Sequence, residues 1–488
     1  MIATASDVRT LRFFVNGRWE EATGRPPHPI ANPATGQTIA QVSYATAADV
    51  DRAAGAAHQA FLQWREVPVV ERVQVLYRYK ELLDRHTDEI ARILTTENGK
   101  TLEDARGSVR RGIQMVEVAC GMPSLMMGYS LDNVSRGIDC QTLRAPLGVC
   151  AGITPFNFPA MVPLWMYPFA IACGNTFILK PSEKVPLTPT RTAELLEQAG
   201  LPPGVFNLVH GDKEAVDALL GHPLVRAVSF VGSSPVASYV YRTAAAAGKR
   251  VQALGGAKNH LVVMPDANLE KTVEAIMGSA FGAAGERCLA GSVLVTVGSV
   301  AAPLLDLLTR KARALRIGDG LDARTEMGPL ITADHRRRVA GYIEKGVAEG
   351  AQPLCDGRQA PAASGEGFFL GATIFDNVRP EMTIAREEIF GPVLSVIRVE
   401  TLEEAIALVN SSRYGNTTSI FTGDGKAARE FTSRIEVGMV GVNVGVAAPM
   451  AFFPFCGWKE SFFGDLHAHG RDAIAFYTEQ KVVMSRWF

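Results

Sequence analysis

GVCAGITPFNFPAMVPLWMYPFAIACGNTFILK, residues 148–180, places two apolar runs on either side of an uncharged, proline-studded insert. Gly148–Ile153 and Thr176–Lys180 are short and almost continuously hydrophobic, the texture of strands covered on both faces. No charged residue occurs from Ala145 to Leu179, so the stretch imitates a membrane span. Pro146, Pro155, Pro159, Pro163 and Pro168 would break a spanning helix again and again, and Asn157 and Asn175 add polar groups. Strand, loop and short helix are expected here, and no membrane span.

Outward from this stretch the same alternation continues. Strand-like runs follow at Phe206–His210 and Ala227–Gly232, separated by helical patterns at Thr188–Ala199, Glu214–Leu220 and Val236–Ala247. A second series begins at Leu261–Pro265. It passes through a helix at Leu269–Ala280 and gives strands near Val293–Val297, Val393–Val399, Thr418–Thr422 and Met439–Val444. Alternation of this kind predicts two α/β units built on largely parallel sheets. Upstream, residues 46–128 are helical, and Asn16-Gly17 between apolar runs signals a hairpin. Lys481–Phe488 reads as a last strand with no later segment to pair with, which points to pairing with another chain.

Composition narrows the function. Among 488 residues, 49 basic side chains face 50 acidic ones, a formal charge of −1, which excludes a chain-wide nucleic-acid footprint. The seven cysteines are odd in number and contain no C-x-x-C pair, so reduced thiols are expected and not a disulfide framework. The opening MIATASDVRTLRFF has no apolar core, because Asp7, Arg9 and Arg12 interrupt it. Together these features predict a cytoplasmic protein.

Five strings carry chemistry. In Gly282-Ala-Ala-Gly-Glu-Arg-Cys288, small residues leave the thiol approachable, and Arg287 would favour thiolate over thiol. The bland alternative is a structural cysteine, the reading given to the other six. Thr154-Pro-Phe-Asn-Phe-Pro159 holds Asn157 between aromatics and prolines, either as an oxyanion donor or as a turn asparagine. Leu179-Lys-Pro-Ser-Glu183 ends a buried strand where nucleotides bind in parallel sheets, with Lys180 and Glu183 able to hold a ribose. Phe230-Val-Gly-Ser-Ser234 joins a strand to a helix N-terminus, where Ser233 could meet phosphate. Glu387-Glu-Ile-Phe-Gly-Pro392 offers one glutamate to a ligand, since neighbours on a strand face opposite ways.

Other matches fail. Gly99-Lys100-Thr101 lacks the upstream glycine of a phosphate loop, and there is no G-x-S-x-G elbow. His467-Ala-His469 lacks a third ligand at metal spacing, so a solvated loop is expected and no metal.

In this order the five strings resemble the aldehyde dehydrogenase superfamily over nearly the whole chain. A finer resemblance is to its CoA-acylating methylmalonate- and malonate-semialdehyde dehydrogenases. It rests on Pro155–Met161, Ala257-Lys-Asn-His260, Val263–Ala267, Phe281–Cys288, Phe462-Phe-Gly-Asp465 and Phe476-Tyr-Thr478. The resemblance implies Cys288 as nucleophile, with Asn157 and the Cys288 backbone N–H as oxyanion hole. It implies NAD contacts at Thr154, Phe156, Lys180, Glu183, Lys184, Ser233, Gly255, Glu388 and Phe390. A carboxylate at Glu183 disfavours a 2′-phosphate, so NAD is expected over NADP.

One departure bears on the second half-reaction. Hydrolytic members open a Glu-Leu-Gly-Gly-Lys string with a general base, but here the segment reads Ala253-Leu-Gly-Gly-Ala-Lys258. Anchored on the glycines or on Lys258, the base position falls on Ala253 or Leu254, and neither takes a proton from water. A thiol acceptor, coenzyme A, is therefore expected, with Glu286 as the alternative base for hydrolysis. The resemblance also implies that Arg111 and Arg287 clamp a semialdehyde carboxylate. That group then leaves as CO₂ or bicarbonate, giving propionyl-CoA or acetyl-CoA; the bland reading of Arg111 is a helix-surface salt bridge.

The implied organisation is threefold. An NAD-binding domain spans 1–128, 147–257 and 446–466; a catalytic domain spans 258–445; an oligomerisation element of a homotetramer or homodimer spans 129–146 and 467–488. The rivals are a hydrolytic aldehyde dehydrogenase and a non-catalytic NAD-binding protein on the same fold.

Overall fold

The computed structural model describes residues 8–22 and 25–488. Residues 1–7, on which much of the leader reading falls, lie outside the described residues.

The two runs that open the argument are Val149–Ile153 and Thr176–Lys180, adjacent parallel strands at the centre of an eight-stranded sheet. Spatially its parallel core runs Arg250–Leu254, Val225–Val231, Val149–Ile153, Thr176–Lys180, Phe206–Leu208. Numbered along the chain from Val149–Ile153, that order is 5-4-1-2-3, the dinucleotide-binding arrangement. Its strand order reverses between Val149–Ile153 and Val225–Val231. Ligands bind beyond the carboxyl ends of strands at such a reversal. Thr154 and Ser233 stand there. The predicted hairpin adds Phe13–Val15 and Arg18–Glu20 at one edge, with Asn16 and Gly17 at φ +52° and +73°, values that favour Asn-Gly. The uncharged insert forms two short helices, Met161–Leu164 and Tyr167–Ala172, buried among the α-helices of residues 47–125. Among the described residues no helix is long and apolar enough to cross a membrane.

A second sheet of seven strands is parallel except at one edge: Gln352–Cys355, Thr373–Asp376, Val393–Val399, Gly291–Val297, Asn259–Val263, Thr417–Phe421, Met439–Val442. Only Gly255–Lys258 separates the carboxyl end of Arg250–Leu254 from the start of Asn259–Val263. The ends of the first sheet's strands thus face the beginnings of the second's, and the cleft between them receives side chains from both. The edge strand Gln352–Cys355 and a small sheet of Arg9–Leu11, Thr38–Val42 and His28–Ala31 had no counterpart in the sequence reading.

The C-terminal strand is not without a partner in its own chain, and that partner lies in the segment grouped with it above as one element. Thr478–Arg486 pairs antiparallel along its whole length with Ile138–Pro146 of its own chain, and Ser130–Ser135 completes a three-stranded sheet. A scan for neighbouring runs leaves the last strand unpaired, whereas the resemblance groups the two segments that contain these strands.

Candidate active site

Cys288 follows the helix Leu269–Phe281 through a tight turn at Gly282–Gly285, where Ala283 and Ala284 take φ +49° and +52°. L-residues occupy this region at a cost of order 1–3 kcal/mol, so the surroundings must hold the turn in place. Two asparagines do part of that. Asn259 Nδ2 and Asn416 Nδ2 both donate to the Cys288 carbonyl, at 2.9 and 2.8 Å, from the first residue of one strand and the residue before another. The thiol opens into a cavity of about 450 Å³ with mostly apolar walls, among them Met115, Phe158, Met161, Trp165, Leu289, Val446 and Phe455.

Five charged residues line the same cavity: Lys100, Glu103, Asp104, Arg111 and Arg287. Asp104, Ser108, Arg111 and Met115 form one stripe of the helix Leu102–Cys120, at spacings of four, three and four. The cavity thus brings together both arginines of the expected clamp and the expected nucleophile. Among the described residues Arg111 makes no ion pair; its guanidinium reaches the Pro449 carbonyl and Met450 Sδ. Arg287 donates to the Gly278 and Ser279 carbonyls, and its buried Nε has no hydrogen-bond partner among the described residues.

Arg287 does favour the thiolate, as expected from its place beside Cys288, but burial outweighs it. Burial pushes the Cys288 thiol up to about 12 and Glu388 adds to it, while Arg287 and the backbone N–H groups of Cys288 and Leu289 oppose it. Desolvation outweighs a guanidinium that is engaged with the end of a helix.

Asn157 is buried, donates from Nδ2 to the Glu286 carbonyl at 3.0 Å, and accepts on its own carbonyl from Lys100 Nζ at 2.5 Å. Its amide is therefore held against the segment carrying Cys288, and one of its two N–H bonds is already used. Lys100 also sits 4.1 Å from the Phe158 ring centroid, and burial lowers its ammonium to about 8. This lysine, dismissed above with a failed phosphate-loop match, braces the asparagine.

Along the cleft between the sheets stand the expected cofactor residues. Lys180 is buried at the end of its strand, with Nζ 3.4 Å from Glu183, and its carbonyl accepts from Thr154 N–H at 3.2 Å. Lys184 Nζ lies 5.0 Å from the Phe156 ring, which meets Phe390 edge-on. Ser233 precedes the helix Ser234–Ala246 with its hydroxyl not used in capping. Ser234, which the sequence did not single out, donates to the Glu460 carbonyl and accepts from Gly256 N–H at 2.8 Å. A side chain at Gly255 would meet both Glu460 and Ser234 within 2.7 Å. Glu388 accepts from Ala257 N–H at 2.9 Å, and burial raises it to about 7 against the pull of that N–H and of Lys258. Its neighbour Glu387 instead accepts from Tyr342 Oη at 2.6 Å. Neither glutamate lies in a strand, since both fall between the short helix Thr383–Arg386 and the strand Val393–Val399, so the alternation expected from the sequence does not apply.

At the position of the missing base, Ala253 and Leu254 are sealed in the core. Glu286 is buried as well. Its carboxylate accepts from Ile331 N–H and lies 3.4 Å from His335 Nε2, and burial raises it to about 8. The two histidines read as a solvated loop are a second correction. His467 stacks on Phe462 beside Asp472, and His469 is buried against Trp165 and Phe455 at the cavity wall. His467 is half-buried against a ring five residues back, whereas His469 is sealed by Trp165, a partner far away in sequence.

A thiol in a strained turn, a buried amide beside it and a dinucleotide-type crevice opening onto both agree with the comparison to known proteins. The aldehyde dehydrogenase family matches over residues 19–483. The chain belongs to that family. Malonate-semialdehyde dehydrogenase 2 of Geobacillus thermodenitrificans (strain NG80-2) is 54% identical to this dehydrogenase over 481 residues, covering 99% of this chain and 100% of its own. The crystal structure of methylmalonate-semialdehyde dehydrogenase from Oceanimonas doudoroffii superposes with a TM-score of 0.97 at 50% identity, over 98% of this chain and 99% of that one. A Sinorhizobium meliloti 1021 structure described as complexed with NAD gives 0.97 at 46% identity, over 99% of each chain.

Proposed function

We propose that this dehydrogenase oxidises methylmalonate or malonate semialdehyde with NAD and passes the acyl group to coenzyme A, yielding propionyl-CoA or acetyl-CoA. The observation that carries the proposal is the pairing of two arginines with Cys288 in one cavity, beside a base position filled by Ala253 and Leu254. The names of the relatives support the substrate class.

The residues present fit NAD. Lys180 Nζ and the Ser233 hydroxyl retain hydrogen-bonding capacity at the crevice, and Glu388 offers a buried carboxylate whose Oε1 alone takes the Ala257 N–H. Glu183 would accept from an adenosine ribose. Thr154, Phe156, Lys184, Gly255 and Phe390 line the same path.

In the reaction, Cys288 as thiolate attacks the aldehyde carbon, and the oxyanion accepts from Asn157 and the Cys288 N–H. NAD, when bound, supplies the acceptor for the hydride that leaves the thiohemiacetal carbon, so a thioester remains on Cys288. Arg111 and Arg287 hold the carboxylate until it departs. With Ala253 or Leu254 where a base would stand, water is not activated there, and the thiolate of coenzyme A resolves the thioester. Glu286, bound to Ile331 N–H, is the base for a hydrolytic alternative.

The same reading divides the chain into the NAD-binding, catalytic and oligomerisation parts set out above. It makes the enzyme a cytoplasmic homotetramer or homodimer joined through the three-stranded sheet, whose outer strand exposes Val482 and Met484.

Purified enzyme assayed with NAD and methylmalonate semialdehyde, with and without coenzyme A, tests the proposal. Sustained NADH formation should require coenzyme A and yield propionyl-CoA. Undiminished NADH formation without it would sink the acylating reading, and unchanged turnover in Cys288→Ala would sink the mechanism altogether.

A further inference from the structure

His469 and Trp165 line the Cys288 cavity together with Arg111, and 1% and 4% of their respective surfaces are exposed. Their rings meet edge-on, 5.0 Å apart, and Phe455 packs against both. His469 Nδ1 lies 2.6 Å from the Phe453 carbonyl, which can only accept, so the ring proton sits on Nδ1 and Nε2 presents a lone pair. Nε2 has no hydrogen-bond partner among the described residues, and neither has Trp165 Nε1. One unused donor and one unused acceptor therefore adjoin each other in an aromatic wall. Buried polar atoms are nearly always paired in native proteins, so two such neighbours point to a ligand group. His469 also takes φ +45° with ψ −169°, a conformation L-residues rarely adopt. Such strain clusters at ligand-binding positions.

We propose that Trp165 and His469 are a specificity-determining pair that receives the substrate carboxylate together with one proton. Trp165 Nε1–H donates to one oxygen, and the second oxygen shares a proton with His469 Nε2. This rests on the proposed semialdehyde substrate and adds two residues, and a proton, to the arginine clamp. A lone pair facing a carboxylate would repel it, and the Phe453 carbonyl holds the existing ring proton on the far side. The anion therefore has to bring a proton with it. Arg111, on the helix Leu102–Cys120, is the charged group acting on His469. The other elements against the ring contribute Trp165, Phe455 and the Phe453 carbonyl, while Lys100, Glu103, Asp104 and Arg287 stand elsewhere on the cavity wall. Burial first, and Arg111 besides, lower the imidazole to about 4, so the free ring carries no second proton at neutral pH. Binding then takes up one proton, and affinity falls as pH rises, about tenfold per unit.

The test uses Cys288→Ala enzyme and 3-hydroxypropanoate, an unreactive carboxylate of substrate length, titrated calorimetrically in two buffers of different protonation enthalpy. One proton should be taken up per ligand at pH 7. His469→Asn, a residue that tolerates positive φ, should abolish that uptake. With Cys288 intact, the ratio of kcat/KM for malonate semialdehyde to that for propanal should fall at least tenfold in His469→Asn and in Trp165→Phe, which keeps a ring and loses only the N–H. Proton uptake that persists in His469→Asn, or an unchanged ratio in Trp165→Phe, overturns the proposal even if the histidine variant fails to fold. A wild-type ratio near one would instead refute the semialdehyde reading beneath it.

Discussion

Gly256→Ala tests whether Glu388 is held where a ribose can use it. A Cβ at this position would stand 3.0 Å from the Glu388 carboxylate carbon and 3.3 Å from Oε1, and closer still to Oε2. Ordinary contacts between non-bonded heavy atoms lie near 3.5–4.0 Å, so the nearest carboxylate oxygen must retreat by roughly 1.3 Å or more. Retreat of that size stretches its 2.9 Å hydrogen bond from Ala257 N–H past useful range. A hydrogen bond to a charged group contributes about 1.5–3 kcal/mol, equivalent to about 10- to 150-fold in a binding constant. At pH 8 the variant should therefore lose about 10- to 150-fold in kcat/KM for NAD. The pH profile adds an independent sign. Glu388 is raised to about 7 mainly by burial, and the Ala257 N–H is the largest influence opposing it. NAD use should fall as pH drops through about 7 in wild type, and at a higher pH in the variant, where the opposing N–H is lost. In a Glu388→Ala background the same substitution should cost nothing further, because no carboxylate remains to displace. A kcat/KM for NAD within twofold of wild type, with an unmoved inflection, would refute the reasoning.

Two further outcomes are expected. Because burial holds the Cys288 thiol at about 12, its alkylation by iodoacetamide should accelerate about tenfold per pH unit from 7 to 10 in the free enzyme; a plateau near pH 8 would contradict the burial argument. Glu286 is raised from 4.5 to about 8, so between those values the unfolded chain ionises while the folded one keeps its proton, and the contribution of this group to stability falls as pH rises. Denaturant midpoints should accordingly show Glu286→Gln gaining on wild type between pH 5 and pH 8, and an equal gap at both would refute it.

What the sequence disclosed follows a physical division. Asn16-Gly17 and the apolar runs around residues 149–153 and 176–180 were legible because turn dihedrals and strand burial are demands on neighbouring residues. Cys288 was legible through the small residues beside it. Lys100, Trp165 and His469 were not, because each gains its character from partners far along the chain: Lys100 from Asn157, His469 from Trp165 and Phe453. A lysine read beside a glycine says nothing of burial. Arg111 lines the Cys288 cavity, yet its partner carbonyl at Pro449, 338 residues away, gave no sign in the sequence. The state of Cys288 was not legible for the related reason that desolvation is set by the whole surrounding protein, while Arg287 is merely the next residue.

The raised thiol and the raised glutamate bear on one another. Glu388 is the largest charged influence lifting Cys288, so the thiolate is costly partly because a carboxylate stands near it. A hydroxyl donor bound to Glu388 spreads that negative charge and lowers the cost of ionising the thiol. The same glutamate is tied by Ala257 N–H to the short link between the two sheets, and the carbonyl of Cys288 is pinned by Asn259 at the start of the strand that follows it. Position is thus fixed by the backbone while reactivity is left open. The geometry of attack does not wait on a ligand, but the electron pair does. On the proposed reading of Cys288 as nucleophile, the thiol stays protonated, and so slow to oxidise, until the crevice is filled. Its reactivity then rises with occupancy of the Glu388 position, beyond what Arg287 supplies.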